Sequence, residues 1–205
     1  MASTSTRNAS SSSTSGQSAP DVRKPDDRRV SRTRRSIDVA FLALLKQRGY
    51  EAVGVSDIVR EADVGRATFY EHYTSKDDLL RSQLRNVSSL LRAADDVTTV
   101  LDATPLLAHV HDVPLLYRLV AGRTAAARTL RILQDVLEER AAQLLGAQVG
   151  AGAALREPLE PGVAARVIVA SLCALLAWWV ERGMPESPAE VQRLFEACTG
   201  AMMKR

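Results

Sequence analysis

Ile37, Ala40, Phe41, Leu44 and Leu45 recur at i, i+3, i+4, i+7 and i+8. The three-and-four step returns at Leu80, Leu84, Val87 and Leu91, and a leucine stripe follows at Leu130, Leu133, Leu137 and Leu144. Such spacing lines one face of an α-helix, whereas a half-buried strand alternates every second residue, and no convincing strand alternation follows residue 100. The stripes predict an all-α chain. Punctuation divides it into about nine helices. Gly49 stops the first, which starts at Ser31, and Ser75 with Asp78 caps the fourth. Asp112 and Pro114 open the sixth, and "RTAAARTLRILQDVLEERAAQLL" forms the seventh. A Gly, Ala and Pro-rich loop spans residues 146–162. The eighth helix runs from about residue 162 to 182, stopped by Gly183 and Pro185, and "SPAE" at residues 187–190 is a capping box for the last.

Eleven of the first 20 residues are Ser or Thr, too polar to offset the entropy of ordering them, so disorder is expected there. "DVRKPDDRRVSRTRR" then adds seven cations. It reads either as a solvated tail or as an arm that touches phosphates and adds sequence-independent affinity. Residues 1–85 hold 15 Lys and Arg against 11 Asp and Glu, and residues 86–205 hold 12 against 13. A basic first part and a neutral remainder fit a polyanion-facing module joined to something else. The division is a tail over residues 1–30, a first module over 31–77 and a second over 78–205.

Cys173 and Cys198 lie in apolar surroundings without CxxC or Cys/His spacing, which suits buried free thiols in a reducing cytoplasm. No secretory h-region opens the sequence. The apolar run at residues 167–180 is shorter than the roughly 18 residues that cross a bilayer, so it reads as a buried helix, with no membrane partner. GxSxG, HExxH, P-loop and CxxC motifs are absent, and "GAGAAL" lacks a third glycine and a preceding strand, which speaks against an enzyme. His109 and His111 point apart at i and i+2, so neither a metal nor another cofactor is expected.

"VSDIVREA", "DVG" and "RATFYEHY" are two helix-sized units around a three-residue turn, the geometry of a helix-turn-helix whose second helix enters the major groove. Ile58, Ala62, Val64 and Phe69 fall where the helices pack together. Arg66, Thr68, Tyr70 and His72 carry donors that would be costly to bury unpaired.

"GYEAVGVSDIVREADVGRATFYEHYTSKDDLL" resembles the DNA-binding domain of the TetR/AcrR family of transcriptional regulators, over about residues 31–85. "AWWVERGMPESPAEVQRLF" is also similar to the closing helices of one subgroup. The resemblance implies that Ser56, Arg66 and Ala67 read base edges, Arg66 by a bidentate contact to guanine. It implies phosphate contacts from Thr68, Tyr70, His72 and Lys76, the last at a helix start where backbone N–H groups favour an anion. Glu71 is either solvated or an acceptor for a cytosine amino group. Gly54 stands where the family usually caps the second helix with Ser or Thr, Gly65 where Ser usually opens the recognition helix, and Asp63 at a turn position where Gly is commonest. Gly65 marks close backbone approach to the groove but lacks one expected phosphate contact.

One helix-turn-helix covers half a site, so a homodimer on a palindromic double-stranded operator is expected. Val167, Ala170, Ala174 and Ala177 make a small-residue stripe on the eighth helix, opposite bulky Ile168, Leu172, Leu175 and Trp179. With Leu194 of the last helix, the small stripe is the expected interface in a four-helix bundle of two helices per subunit. The remaining helices would enclose an apolar cavity for a small hydrophobic inducer, with Leu84, Tyr117, Leu133 and Trp178 as candidate lining, although a Tyr among leucines also suits plain core. These readings converge on a ligand-responsive repressor, the alternative being a ligand-independent or activating DNA-binding protein of the same fold.

Overall fold

The computed structural model describes residues 25–94, 101–121, 127–150 and 160–200. The expected disorder of the Ser/Thr-rich tail falls outside them. The described residues form nine helices and one small strand pair: α1 (Pro25–Arg48), α2 (Val55–Glu61), α3 (Arg66–His72), α4 (Lys76–Ser88), β1 (Arg92–Ala93), β2 (Leu101–Asp102), α5 (Thr104–Asp112), α6 (Pro114–Ala121), α7 (Ala127–Gly150), α8 (Pro161–Glu181) and α9 (Pro188–Thr199).

The stripe read from the sequence is the inner face of α1, since Ile37, Ala40, Phe41, Leu44 and Leu45 are all buried. The helix starts at Pro25, not at Ser31, because proline's fixed φ suits a first helical position. Gly49, at φ 75°, ends it in the left-handed conformation that an L side chain resists. Ser75 caps α4 by accepting from the Asp78 amide at 3.1 Å. The Asp78 carboxylate reaches one residue further back than a capping box requires, accepting from the Thr74 amide at 2.9 Å. In α9 the box closes both ways, Ser187 N–H to Glu190 Oε2 at 2.7 Å and Glu190 N–H to Ser187 Oγ at 3.3 Å.

Two further boundaries differ from expectation, and of the two thiols expected to be buried Cys173 is buried while Cys198 is exposed. Asp112 ends α5 instead of capping α6, and Val113 continues the turn with its amide bonded to the His109 carbonyl at 3.2 Å. The seventh helix runs through Gly146 to Gly150, so the expected loop begins late. Residues 123–126, expected to start that helix, and residues 151–159 lie outside the described residues. The antiparallel strand pair, with Arg92 opposite Asp102, is too short to leave a periodic trace. Its second strand is held by a buried amide, Gln192 Nε2 donating to the Leu101 carbonyl at 3.0 Å and Gln192 Oε1 accepting from the Ala103 amide at 2.9 Å.

α7 and α8 pack along one another, α4 lies on α7, α6 touches both α7 and α8, and α9 closes on α5 and α8. α8 has 21 residues and a mean hydropathy of 2.1 in its most apolar window, enough by length and composition to cross a membrane. Its inner face, including Ile168, Leu172, Leu176 and Trp179, is instead spent on its neighbours in a shared core. α1 meets this core through α6, and α4 meets it through α7.

Candidate nucleic-acid interface

α2 and α3 need few residues because Ile58 and Phe69, both fully buried, lock them against α1 and each other. Asp63 takes φ 51° in the intervening turn, a conformation that Asp tolerates better than most side chains. Gly54 offers α2 no side-chain cap, and Asp57 compensates by accepting from the Gly54 amide at 3.0 Å. That bond holds the Asp57 carboxyl below its usual range, despite some opposing desolvation, with Arg60 and Arg48 adding attraction. Gly65 opens α3 with extended backbone and no side-chain cap.

With Phe69 turned inward, α3 presents the opposite side to solvent. Ser56 at the start of α2, with Gly65, Arg66, Ala67 and Tyr70, is exposed, and Thr68 and His72 are partly so. Arg66 lies over the Tyr70 ring at 5.9 Å from its centre, one turn away on the same face. Phe69 meets Tyr70 edge-on at 5.4 Å, so the exposed ring rests on the buried one. The face thus combines a fork of guanidinium donors, a phenol and a hydroxyl on a short rigid helix, suited to base edges and phosphate oxygens.

Lys76 departs from this picture. Its ammonium donates to the carbonyls of Tyr50 and Val53, both at 2.8 Å, and sits 4.1 Å from the centre of the Tyr50 ring. Asp77 and Asp78 already supply negative charge to the first turn of α4, where an anion was expected. Lys76 therefore braces the connection between α1 and α2.

Arg34 and Tyr50 escaped the sequence reading as positioning residues, whereas Tyr73 was expected to brace the turn into the next helix. Tyr73, buried at the end of α3, donates to Asp38 Oδ1 at 2.6 Å and accepts from Arg34 Nε at 3.0 Å, while Arg34 also donates to Ser82 Oγ at 2.8 Å. One cluster thereby ties α3 to α1 and α4. Tyr50 donates to Asp77, whose other oxygen accepts from Arg128 Nε at 2.6 Å. Burial, reinforced by Asp77, pushes the Tyr50 hydroxyl well above its ordinary pKa and keeps its proton in place. A signal for Tyr50 and Tyr73 existed, since each is a ring with a polar tip at the end of a helix.

In the second module Leu84, Tyr117 and Leu133 are buried, as cavity lining or core would be. Tyr117 shows no partner for its buried hydroxyl among the described residues, and burial pushes its pKa up. Trp178, the fourth candidate lining residue, is corrected by the structure. It lies 37% exposed on the outside of α8 with Arg182 over its ring, and Trp179 is the indole turned inward. A cleft of about 470 Å³ opens elsewhere, between α4 and α7, lined by Asp77, Arg81, Ala127, Arg128, Arg131, Ile132 and Asp135.

The expected dimer face is an exposed strip. Val167 is 49% and Leu194 41% exposed, Ala170 and Ala174 are exposed, and Ala177 is half-buried. Among the described residues no group of His, Cys, Asp and Glu is arranged to hold a metal ion. His111 instead stacks on Trp179 at 6.0 Å and His109 meets Tyr117 edge-on.

Residues 38–82 match the family described as bacterial regulatory proteins, tetR family. An uncharacterized HTH-type transcriptional regulator of Bacillus subtilis (strain 168), YxbF, is 39% identical over 74 residues, 34% of this chain, and the chain spans about a fifth of that relative's length, 20%. A TetR transcriptional regulator from Streptococcus agalactiae 2603V has the same fold, with a TM-score of 0.56 at 20% identity, covering 85% of this chain and 97% of that one. The regulator FadR from Bacillus subtilis in complex with stearoyl-CoA gives a TM-score of 0.56 at 15% identity, over 83% and 99% of the two chains. The segment that matches the tetR family model coincides with the helix-turn-helix of α2 and α3, and the described residues share the fold of these solved regulators.

Proposed function

We propose that this protein is a homodimeric, ligand-responsive repressor that reads a palindromic operator with α3. The observation that carries the reading is the exposed Arg66–Tyr70 face, held rigid by buried Phe69 at its back. Arg66 and Ala67 read base edges with Ser56 from α2, and Thr68, Tyr70 and His72 hold phosphates. α8 and α9 of two copies pair through Val167, Ala170, Ala174 and Leu194, setting the two recognition helices about one helical turn of DNA, or a multiple of it, apart. Both helices expose apolar side chains there, Val167 on α8 and Leu194 on α9, as a four-helix interface requires.

A small hydrophobic inducer enters the core near Tyr117, whose hydroxyl, without a partner among the described residues, supplies a donor for a polar group on it. The like-folded FadR was solved with stearoyl-CoA, which lends the inducer reading support at the level of fold. Since DNA fixes the half-site spacing, a small tilt of α4 disfavours simultaneous docking of both helices. The working compartment is the cytoplasm.

The test is a gel shift on DNA flanking the protein's own gene, with parent and Arg66→Ala, alongside circular dichroism and sedimentation. The variant should lose about 1–3 kcal/mol of specific binding, with helicity and assembly unchanged. Unaltered operator affinity in the variant would refute the assignment. Repeating the shift with a panel of hydrophobic compounds tests induction, and release of DNA by none of them favours the ligand-independent alternative.

A further inference from the structure

The cleft between α4 and α7 is separate from both the recognition face and the core around Tyr117. Its lining carries three guanidiniums and two carboxylates, over buried Ile132. The carboxylates are already satisfied. Asp77 accepts from Tyr50 and Arg128, and Asp135 accepts from Arg81 Nη2 at 3.3 Å. Arg81 is likewise engaged, its Nη1 lying 3.8 Å from Glu139. Arg131 is different. It lies one turn along α7 from Arg128, is exposed, and has no hydrogen bond or ion pair among the described residues. The unspent capacity of the cleft is therefore donor capacity, and a guanidinium fork matches the oxygens of a phosphate or carboxylate.

We propose that this cleft binds a small multivalent oxyanion, a phosphate-bearing or dicarboxylate metabolite, between Arg131 and Arg128. About 470 Å³ is within the range of small-molecule sites. Occupancy has a built-in consequence. Arg128 is the α7 partner of Asp77 in the first turn of α4, and Asp77 in turn holds the Tyr50 hydroxyl just after α1. An oxyanion on Arg131 competes with Asp77 for the Arg128 guanidinium. Binding thus loosens the tie between α7 and the helix-turn-helix, a second input that does not pass through the core. The link to DNA rests on the DNA-binding reading above. The site itself does not, and its test contains no DNA.

The side-chain Nε–Hε resonance of Arg128, assigned with Arg128→Lys, reports the bond to Asp77 directly. Full-length protein is titrated with inorganic phosphate, and separately with succinate, at ionic strength held constant with sodium chloride. A saturable shift of the Arg128 resonance is expected, and Arg131→Gln should weaken the apparent Kd at least about fivefold while the melting temperature stays within a degree or two. Saturation by phosphate alone assigns a phosphate-bearing ligand, and saturation by both dianions assigns oxyanions more broadly. Shifts that merely follow those produced by chloride, or an Arg131→Gln titration that overlays the parent, overturn the proposal.

Discussion

Arg34 donates through Nε to the hydroxyl of Tyr73 at 3.0 Å, joining the first helix to the end of the recognition helix. The hydroxyl passes its own proton toward Asp38 Oδ1 at 2.6 Å, so one buried oxygen serves two charged partners. Burial and the Asp38 bond together raise the Tyr73 pKa, while Arg34 opposes them. Tyr73→Phe keeps the ring and removes the bridge. Hydrogen bonds to charged groups contribute about 1.5–3 kcal/mol. Arg34 keeps its bond to Ser82 in the variant, so a loss near the low end, about 1.5 kcal/mol, is expected in urea unfolding. Operator affinity should fall as well, because α3 loses its tether to α1.

Asp77 supplies a pH-dependent link. Its partial burial favours the neutral acid, but the bonds from Tyr50 and Arg128 outweigh this and hold its pKa below the usual carboxylate range. The folded pKa is depressed, so the stabilisation is fully present above the unfolded value near 4 and is lost as pH falls through the folded pKa. Asp77→Asn should destabilise the protein by a nearly constant amount from pH 5 to 8, about 1 kcal/mol for a partly exposed network. Below pH 4 the parent and variant unfolding curves should converge. A stability difference that persists undiminished at pH 2.5 contradicts this account.

What the sequence disclosed and what it concealed divide by range. The Ser75 and Ser187 caps, the left-handed Asp63 and the inward stripe of α1 act over a few residues, and local chemistry reveals them. The bond from Arg34 to Tyr73 spans 39 residues, that from Lys76 to Val53 spans 23, and that from Arg128 to Asp77 spans 51. No periodicity marks such pairs, and the phosphate role that the resemblance implies for Lys76 gives no sign that its donors are spent inside the fold. The two tryptophans show a subtler failure. Adjacent residues on a helix point about 100° apart, which correctly separated the rings. What placed a cavity role on Trp178 was the expectation of a roomy interior, whereas Arg182 and solvent surround it.

Gly65 is a place where the recognition helix can be improved. Its φ of −69° suits any residue, and an added Cβ would meet only Thr68 Oγ1 at 3.6 Å, an ordinary contact. Serine there supplies the missing cap, worth a few tenths of a kcal/mol over glycine. It also adds a hydroxyl at the end of the helix proposed to approach DNA. Gly65→Ser should therefore raise the urea midpoint slightly and tighten operator binding by roughly two- to fivefold, measured by fluorescence anisotropy at fixed salt. Weaker binding with unchanged stability would mean instead that the backbone at Gly65 must approach the groove more closely than a side chain permits.

The exposed strip on α8 and α9 gives the most direct test of assembly. Val167, Ala170, Ala174 and Trp178 are exposed on the outer side of α8, and Leu194 is exposed on α9. Buried between two copies, a carboxylate at Ala174 would be stripped of water and face its twofold mate, costing several kcal/mol. In the isolated chain Ala174 is exposed, so the same substitution should leave the fold intact. Sedimentation equilibrium of Ala174→Glu should give a monomer with parent-like helicity. Operator binding should drop by at least about a hundredfold, because each recognition helix then docks alone and the second contact is no longer intramolecular. A dimer that survives Ala174→Glu with unchanged affinity would move the interface off this face of α8.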